Sequence, residues 1–187
     1  VPKLPTIYVS VAAYREPHLY LTIHQLFAKA AHPQRIHVGL VDQSEQLNPA
    51  WLGQFPARKN INYVGLSPVD SRGVSWARSI AFSLYNDQDY LLQIDSHTLF
   101  DQGWDELLIQ QLLRLKAIHP KPLISTYPPG FRFDAQGRAV ADEPAKSDEI
   151  FFIERDPGSV LTAERAVLQF RVVRKRAELT EITHLPG

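Results

Sequence analysis

The chain has 187 residues, of which 44% are apolar and 21% charged, and its 20 basic and 20 acidic side chains leave no net charge. This composition predicts one globular domain over residues 1–187, and the balanced charge argues against nucleic-acid binding and against a polybasic membrane patch. The absence of cysteine excludes disulfides, thiolate zinc sites and cysteine nucleophiles, and the lack of a spanning apolar run or a signal peptide predicts a cytoplasmic protein.

The hydrophobic pattern alternates between strand-like runs, which are β-branched and apolar, and helix-like segments with one apolar face. In chain order, the predicted elements are a strand at 6–11, a helix that follows Pro17 and stops at His32, a strand at 36–41, a strand at 60–66, a helix at 71–85, a strand at 90–94, a helix at 104–115 and a strand at 123–125. This alternation indicates parallel strands with crossover helices, and therefore an open α/β sheet with helices on both faces.

The remaining third of the chain has a different pattern. Residues 130–141 predict a β-hairpin with a short turn, a polar loop follows, and residues 168–173 alternate like an edge strand. We therefore expect a small β-rich C-terminal extension after the α/β core, with no second domain.

The clearest candidate for chemistry lies where the fourth predicted strand ends. In open α/β sheets, ligands bind beyond the carboxyl ends of the strands. Asp95 and His97 are two positions apart there, so on an extended chain they face the same side. A carboxylate with an imidazole suits Mn²⁺, and Mg²⁺ is the second choice, with phosphates or water filling the other positions. The alternative is a polar strand end that caps the following helix.

Three further segments carry candidate residues. Arg72 and Arg78 flank the start of a predicted helix, where Gly73 allows close approach of a phosphate and the arginines donate to its oxygens; a helix start capped by Ser71 is the alternative. Tyr14, after the first strand, offers a ring for a base to stack on, or belongs to an ordinary strand-to-helix turn. Asp42, after the second strand, is able to bond a base or ribose, or lies in a solvated turn.

The order of these segments resembles a glycosyltransferase of the GT-A fold, which uses a nucleotide sugar. More narrowly, five segments resemble the N-acetylglucosaminyltransferases that modify hydroxyproline on a ubiquitin-ligase adaptor (glycosyltransferase family 60): VSVAAYRE at 9–16, RGVSWAR at 72–78, YLLQIDSH at 90–97, GWD at 103–105 and STYPPG at 125–130. The Arg-Gly and Asp-Ser-His segments are also similar to the polypeptide N-acetylgalactosaminyltransferases.

This resemblance implies a GT-A-like, Rossmann-like fold and a metal-dependent transfer of a sugar, GlcNAc, from a UDP-sugar to a protein or glycan hydroxyl with retention of configuration. It implies that Asp95 and His97 bind the metal. It also implies contacts with the sugar nucleotide for Ser10 in the first strand, Tyr14 and Arg15 near the uracil, and Asp42 near the nucleoside. Arg72 and Arg78 would help to hold the donor, Ser96 and the Asp95 backbone would lie near the ribose, and Trp104 beside the sugar or the metal loop.

The family continues beyond the point where this sequence stops, with a third metal-ligand histidine and an acceptor-binding half. The resemblance therefore implies that residues 1–187 are the donor-binding part of a longer protein. Two other functions stay open from the residues alone. One is a nucleotide-sugar-binding fragment without catalysis, and the other is a metal-dependent hydrolase that uses Asp95 and His97 with additional ligands.

Overall fold

A computed structural model of the chain describes residues 4–126, 128–142, 149–155, 160–161, 166–167 and 170–176. The chain divides into two compact units, Val1–Lys121 and Pro122–Gly187, which are described separately. The expectation of one domain over residues 1–187, incomplete at its acceptor-binding end, stays a prediction.

Within residues 4–121, the described part of the first unit, the structure has four strands and three α-helices. They are β1 (Ile7–Tyr14), α1 (Leu19–Ala28), β2 (Ile36–Gln43), β3 (Ile61–Leu66), α2 (Val74–Ser83), β4 (Tyr90–Asp95) and α3 (Trp104–Lys116). The strands form one sheet in the order β3-β2-β1-β4, and every pairing is parallel. This confirms the predicted open α/β sheet with crossover helices.

The central strands β1 and β2 are buried along almost their whole length, which explains their continuous apolar sequence. One face of the sheet packs against α1 and α3 through residues such as Val9, Ile23 and Ile109. The other face packs against α2 through Val41, Ala77 and Ala81. Each fully buried aliphatic side chain in these layers contributes about 1.5–3 kcal/mol of hydrophobic stabilisation.

Gly39 in β2 leaves space for a hydrogen bond that connects the sheet to α2. The Tyr8 hydroxyl donates a hydrogen bond to the Ala81 carbonyl of α2, and burial raises the pKa of Tyr8 to about 12. A Cβ atom at Gly39 would lie 1.7 Å from that hydroxyl oxygen. Only glycine therefore lets β2 pass the Tyr8 ring while the hydroxyl stays neutral and bonded to the helix.

The start of α3 is bound to the segment that follows α1. The buried Asp105 carboxylate accepts hydrogen bonds from the Ala31 amide at 2.7 Å, the His32 amide at 3.0 Å and the Arg35 Nε at 2.9 Å. Burial alone would raise the pKa of Asp105, but these donors outweigh it and hold the pKa below its usual value.

The second unit consists of short antiparallel pairs: β5 (Phe131–Phe133) with β6 (Ala139–Ala141), β7 (Glu149–Arg155) with β10 (Phe170–Arg176), and β8 (Val160–Leu161) with β9 (Ala166–Val167). The pair β5–β6 confirms the predicted hairpin, whose turn is closed by Asp134 and by Gly137 at φ +74°. The β-rich extension is therefore confirmed for the residues that the structure describes.

One predicted strand is wrong. Residues 123–125 have no strand pairing, so the parallel sheet has four strands instead of five. Prolines at positions 120, 122, 128 and 129 surround this short apolar run, and a proline has no amide hydrogen to donate to a strand ladder.

Among the described residues, no helix combines the length and the apolar character that crossing a bilayer requires.

Candidate functional site

The strand register brings two of the predicted aspartates to the same edge of the sheet. Asp95 at the end of β4 is the register partner of Ala12, and Asp42 near the end of β2 is the partner of Ala13. Because adjacent residues of a strand point to opposite faces, Asp95 belongs to the face covered by α2 and Asp42 to the face covered by α1. The two carboxylates therefore flank the end of β1 from different sides of the sheet.

Asp95 is paired with an arginine from α2. The Arg78 Nη2 lies 3.1 Å from the Asp95 Oδ1, and the side chains are 28% and 59% exposed, respectively. The structure thus brings together two residues that the sequence assigned to the same site from different segments. An accessible carboxylate beside a guanidinium is suited to a ligand that carries both a cation and phosphate oxygens.

His97 is paired with a residue that the sequence prediction did not include. Its Nδ1 lies 2.9 Å from the Glu16 Oε2, and the Glu16 Oε1 accepts a hydrogen bond from the His18 amide at 2.8 Å. The Glu16 side chain is only 14% exposed, whereas that of His97 is 55% exposed. Glu16 belongs to the 9–16 segment, but local pattern does not reveal a partner 81 positions away.

The chain bends at Ser96 and His97 immediately after β4, so strand alternation does not set the direction of the imidazole. Among the described residues, no three or more His, Cys, Asp or Glu side chains are grouped so that they hold a metal ion. Asp95 and His97 fit a cation only where substrate or water supplies the other ligands. A hydrolase with a larger protein ligand set is not favoured by the described residues.

Tyr14 and Arg15 lie beside the same edge. The Tyr14 side chain is half exposed, and the Arg15 guanidinium carbon lies 5.3 Å from its ring centroid. Arg15 has a φ of +49°, its amide donates to the Gln43 carbonyl at 3.0 Å, and its Nε lies 2.7 Å from the Glu45 Oε1. The loops after β1 and β2 also enclose a shallow cavity of about 340 Å³, lined by Arg15, Glu16, Pro17, Ser44, Glu45 and Gln46.

Asp42 is engaged within the protein. It is 5% exposed, and its two carboxylate oxygens accept hydrogen bonds from the Ser44 hydroxyl at 2.5 Å and the Tyr63 hydroxyl at 2.9 Å. Burial raises the pKa of Tyr63, and the hydrogen bond to the Asp42 carboxylate raises it further. The predicted contact of Asp42 with the nucleoside stays a prediction, and Tyr63 is a second residue that the sequence prediction omitted.

Three further predicted donor-binding residues are buried. Ser10 is 1% exposed, and its hydroxyl has no hydrogen-bond partner in the described part of the chain. Ser96 is 7% exposed and Trp104 is 5% exposed. The Trp104 indole donates to the Leu26 carbonyl at 2.9 Å, so a contact between this ring and a sugar would need the indole to leave its place in the core.

The arginine-glycine segment opens α2. Gly73 is the residue before the helix, at φ +90°, and its amide donates to the Ser71 hydroxyl at 3.4 Å. The Ser71 side chain therefore binds the turn and makes no bond to the helix amides. Arg72 is exposed, with its guanidinium carbon 6.0 Å from the centroid of the Trp76 ring. Its predicted contact with a diphosphate stays a prediction.

A separate cavity of about 590 Å³ lies between α1 and the segment before β3. Aromatic and apolar side chains such as Tyr20, Phe27 and Phe55 line it, and it contains none of the predicted site residues. The candidate site is therefore the cluster at the carboxyl edge of the sheet.

Comparison with solved structures finds similarity to the crystal structure of S. aureus TarS 1-349 and to the same protein in complex with UDP-GlcNAc. The sequence identities are 13% and 14%, and the TM-scores are 0.47 and 0.48. The matches cover 67% of this chain and 40% and 39% of the TarS chains, so this chain spans less than half of the structures that it matches. None of the curated proteins matches the chain.

The family model described as glycosyltransferase (GlcNAc) matches residues 6–54 and 53–147. These two matches include all four strands of the parallel sheet and every residue of the candidate site. They extend over most of the chain, and the protein therefore belongs to the GlcNAc glycosyltransferase family.

Proposed function

We propose that this chain is the donor-binding part of an enzyme that transfers GlcNAc from UDP-GlcNAc to a hydroxyl group of a protein or glycan. The observation that carries the proposal is the match of residues 6–147 to the GlcNAc glycosyltransferase family. The arrangement of Arg78, Asp95, Glu16 and His97 around the end of β4 supports it, because this is the edge where open α/β sheets bind ligands.

The described side chains suggest where each part of the donor is bound. The accessible Tyr14 ring, with Arg15 beside it, offers a stacking surface for the uracil. Arg15 also lines the cavity between the loops that follow β1 and β2. The Arg78 guanidinium is positioned by Asp95 at the end of β4, where it donates charge-assisted hydrogen bonds to the diphosphate. Arg72 extends this positive charge at the start of α2.

We propose that the site is metal-dependent, with Asp95 and His97 as the protein ligands of Mn²⁺ or Mg²⁺. A divalent cation held there supplies positive charge to the diphosphate as it leaves. Arg78 acts in the same direction, since it stabilises the negative charge that develops when the bond from the anomeric carbon to the diphosphate oxygen breaks. Both electrons of that bond leave with UDP.

The transfer forms a bond between the anomeric carbon and the acceptor oxygen, and the proton of the acceptor hydroxyl passes to the departing diphosphate, which carries the electron pair of the broken bond. Retention of configuration, the finer likeness to family 60 and a cytoplasmic location are parts of this proposal that rest on the sequence. The acceptor site and a third metal ligand are proposed to belong to residues outside 1–187.

The test is a thermal-shift and calorimetric titration with UDP, Mn²⁺ and both together. Because each ligand helps to hold the other, we expect the combined shift in melting temperature to exceed the sum of the separate shifts. Asp95→Asn is expected to abolish the metal-dependent part of UDP binding and to leave the circular dichroism spectrum unchanged. Additive shifts, or an unchanged UDP affinity in Asp95→Asn, would contradict the proposed metal site.

Product analysis with UDP-GlcNAc separates catalysis from binding. Release of UDP together with free or transferred GlcNAc supports an active enzyme. Tight UDP-GlcNAc binding without any turnover, in a protein extended beyond residue 187, would instead identify a non-catalytic nucleotide-sugar-binding protein.

A further inference from the structure

The Glu16 carboxylate connects the loop after β1 with the loop after β4. One oxygen accepts the His18 amide hydrogen at 2.8 Å, and the other lies 2.9 Å from the His97 Nδ1. With its side chain only 14% exposed, this carboxylate is held by the fold instead of moving freely in solvent. Glu16 is not among the site residues that the sequence predicts.

The turn that carries Glu16 is itself constrained. Arg15 occupies the left-handed region at φ +49°, which a non-glycine residue adopts only when its surroundings require it. Its amide is bound to the Gln43 carbonyl at the end of β2, and Pro17 follows Glu16. The backbone around Glu16 is therefore constrained on both sides, by Arg15 and by Pro17, in addition to the contact of its carboxylate with His97.

This contact selects one form of the imidazole. An ionised carboxylate only accepts hydrogen bonds, so a neutral His97 must carry its hydrogen on Nδ1 to make the bond. The lone pair is then on Nε2, the nitrogen that stays available to a ligand on a side chain that is 55% exposed. Histidines that bind metals usually donate their other ring N–H to a carboxylate or carbonyl in this way.

We propose that Glu16 is a positioning residue for His97: it holds the ring in the Nδ1–H tautomer and so prepares Nε2 to bind the divalent cation. This inference rests on the proposed metal-dependent function. It assigns Glu16 no direct contact with the metal or the substrate, and its effect passes entirely through His97.

The first experiment measures the tautomer of His97 in the metal-free protein. Long-range ¹H–¹⁵N NMR spectra distinguish Nδ1–H from Nε2–H, and the His97→Asn variant identifies the His97 signals by their loss. We expect Nδ1–H in the wild type, a shift toward Nε2–H in Glu16→Ala, and largely Nδ1–H in Glu16→Gln, whose amide oxygen is still able to accept the hydrogen bond.

The second experiment measures Mn²⁺ affinity by isothermal titration calorimetry. Loss of an outer carboxylate partner typically weakens metal binding about 10–100-fold, and we expect this for Glu16→Ala, with a smaller loss for Glu16→Gln. Asp101→Asn is the control, because it removes one exposed carboxylate from the loop between β4 and α3, which also carries His97. Its Mn²⁺ affinity is expected to equal that of the wild type.

The outcomes separate this inference from the proposed function. If the wild type binds Mn²⁺ and Glu16→Ala binds it equally well, or if the His97 tautomer is the same in both proteins, the role of Glu16 is refuted and the metal site remains. If the folded wild type does not bind Mn²⁺ at all, the metal site and the role of Glu16 both fail. Thermal melts of each variant confirm that it is folded. If Glu16→Ala does not fold, an Nε2–H tautomer of His97 in the wild type would still refute the role of Glu16.

Discussion

Asp95 and Arg78 form a pair in which each side chain has a second proposed partner. The Arg78 guanidinium lies 3.1 Å from the carboxylate that is proposed to bind a cation. The same guanidinium is proposed to bind the diphosphate. Since Asp95 is 59% exposed, the pair is accessible to solvent and its own strength is modest. If Asp95 binds a metal ion as proposed, the arginine and the metal would compete for it until a diphosphate provided the arginine with another anion.

Arg78→Ala should consequently have opposite effects on the two ligands. Removal of the competing cation is expected to tighten the binding of Mn²⁺ alone by up to about fivefold, the equivalent of an exposed ion pair. Loss of a charge-assisted hydrogen bond is expected to weaken UDP binding in saturating Mn²⁺ by about 10–100-fold. Calorimetric titrations measure both constants, with Arg114→Ala, an exposed arginine of α3, as the control. A parallel loss of both affinities in Arg78→Ala would disprove the competition.

At the scale of elements, the position of α3 depends on a buried ion pair. The Asp105 and Arg35 side chains are 0% and 2% exposed, and an Arg35 Nη2 lies 2.8 Å from the Asp105 carboxylate. The same carboxylate accepts hydrogen bonds from the amides of Ala31 and His32, in the segment that follows α1. Removing one partner of a buried pair leaves the other charge uncompensated, and this is far more costly than the loss of an exposed pair.

Asp105→Asn is therefore expected to lower the free energy of unfolding by about 3 kcal/mol at pH 7. The pKa of Asp105 is held below its ordinary value, which is about 4 in an unfolded chain. The stabilisation is thus fully present above pH 4 and is lost as the pH falls through the lowered pKa. Urea unfolding at a series of pH values should show the difference between wild type and variant shrinking below about pH 4. If the difference in free energy of unfolding between wild type and variant stays constant down to about pH 2, ionisation of Asp105 is not the source of the stabilisation.

At the scale of the whole molecule, the predicted donor-binding residues from Ser10 to Trp104 all belong to the unit Val1–Lys121. That unit contains the complete parallel sheet, its three helices and both clusters of buried apolar side chains. The family match continues past this boundary to residue 147, so the family includes part of the second unit as well. Every residue of the candidate site nevertheless belongs to the first unit.

A protein that ends at Lys121 is accordingly expected to unfold in one cooperative thermal transition and to bind UDP with Mn²⁺ as the full chain does. Circular dichroism follows the transition, and calorimetry measures the affinity. A broad, non-cooperative melt would show that residues 122–187 are required for folding. A cooperative melt without UDP binding would show that those residues complete the donor site.

Local sequence pattern was sufficient for the type and order of the elements. Buried β-branched runs and amphipathic segments predicted all four strands of the parallel sheet and all three helices within a few residues of their ends. The ends differ where a backbone detail intervenes: α2 begins at Val74 because Gly73 adopts φ +90°, and β1 continues through the small residues Ala12 and Ala13 to Tyr14. The prediction of a fifth strand at residues 123–125 is wrong because local pattern does not reveal whether a neighbouring strand is available to pair with them.

The placement of Asp42 and Asp95 at one edge of the sheet was also predictable, since parallel strands end on the same side. The sequence did not predict which polar groups pair with each other at this edge. Arg78 binds Asp95, Tyr63 binds Asp42 and Glu16 binds His97 across separations of 17, 21 and 81 positions. Periodicity reports only on a residue's immediate neighbours, whereas these contacts arise when crossover helices and loops from different parts of the chain pack onto one sheet. Local pattern therefore predicted that polar side chains lie at this edge of the sheet, whereas the pairs that those side chains form depend on packing between distant parts of the chain.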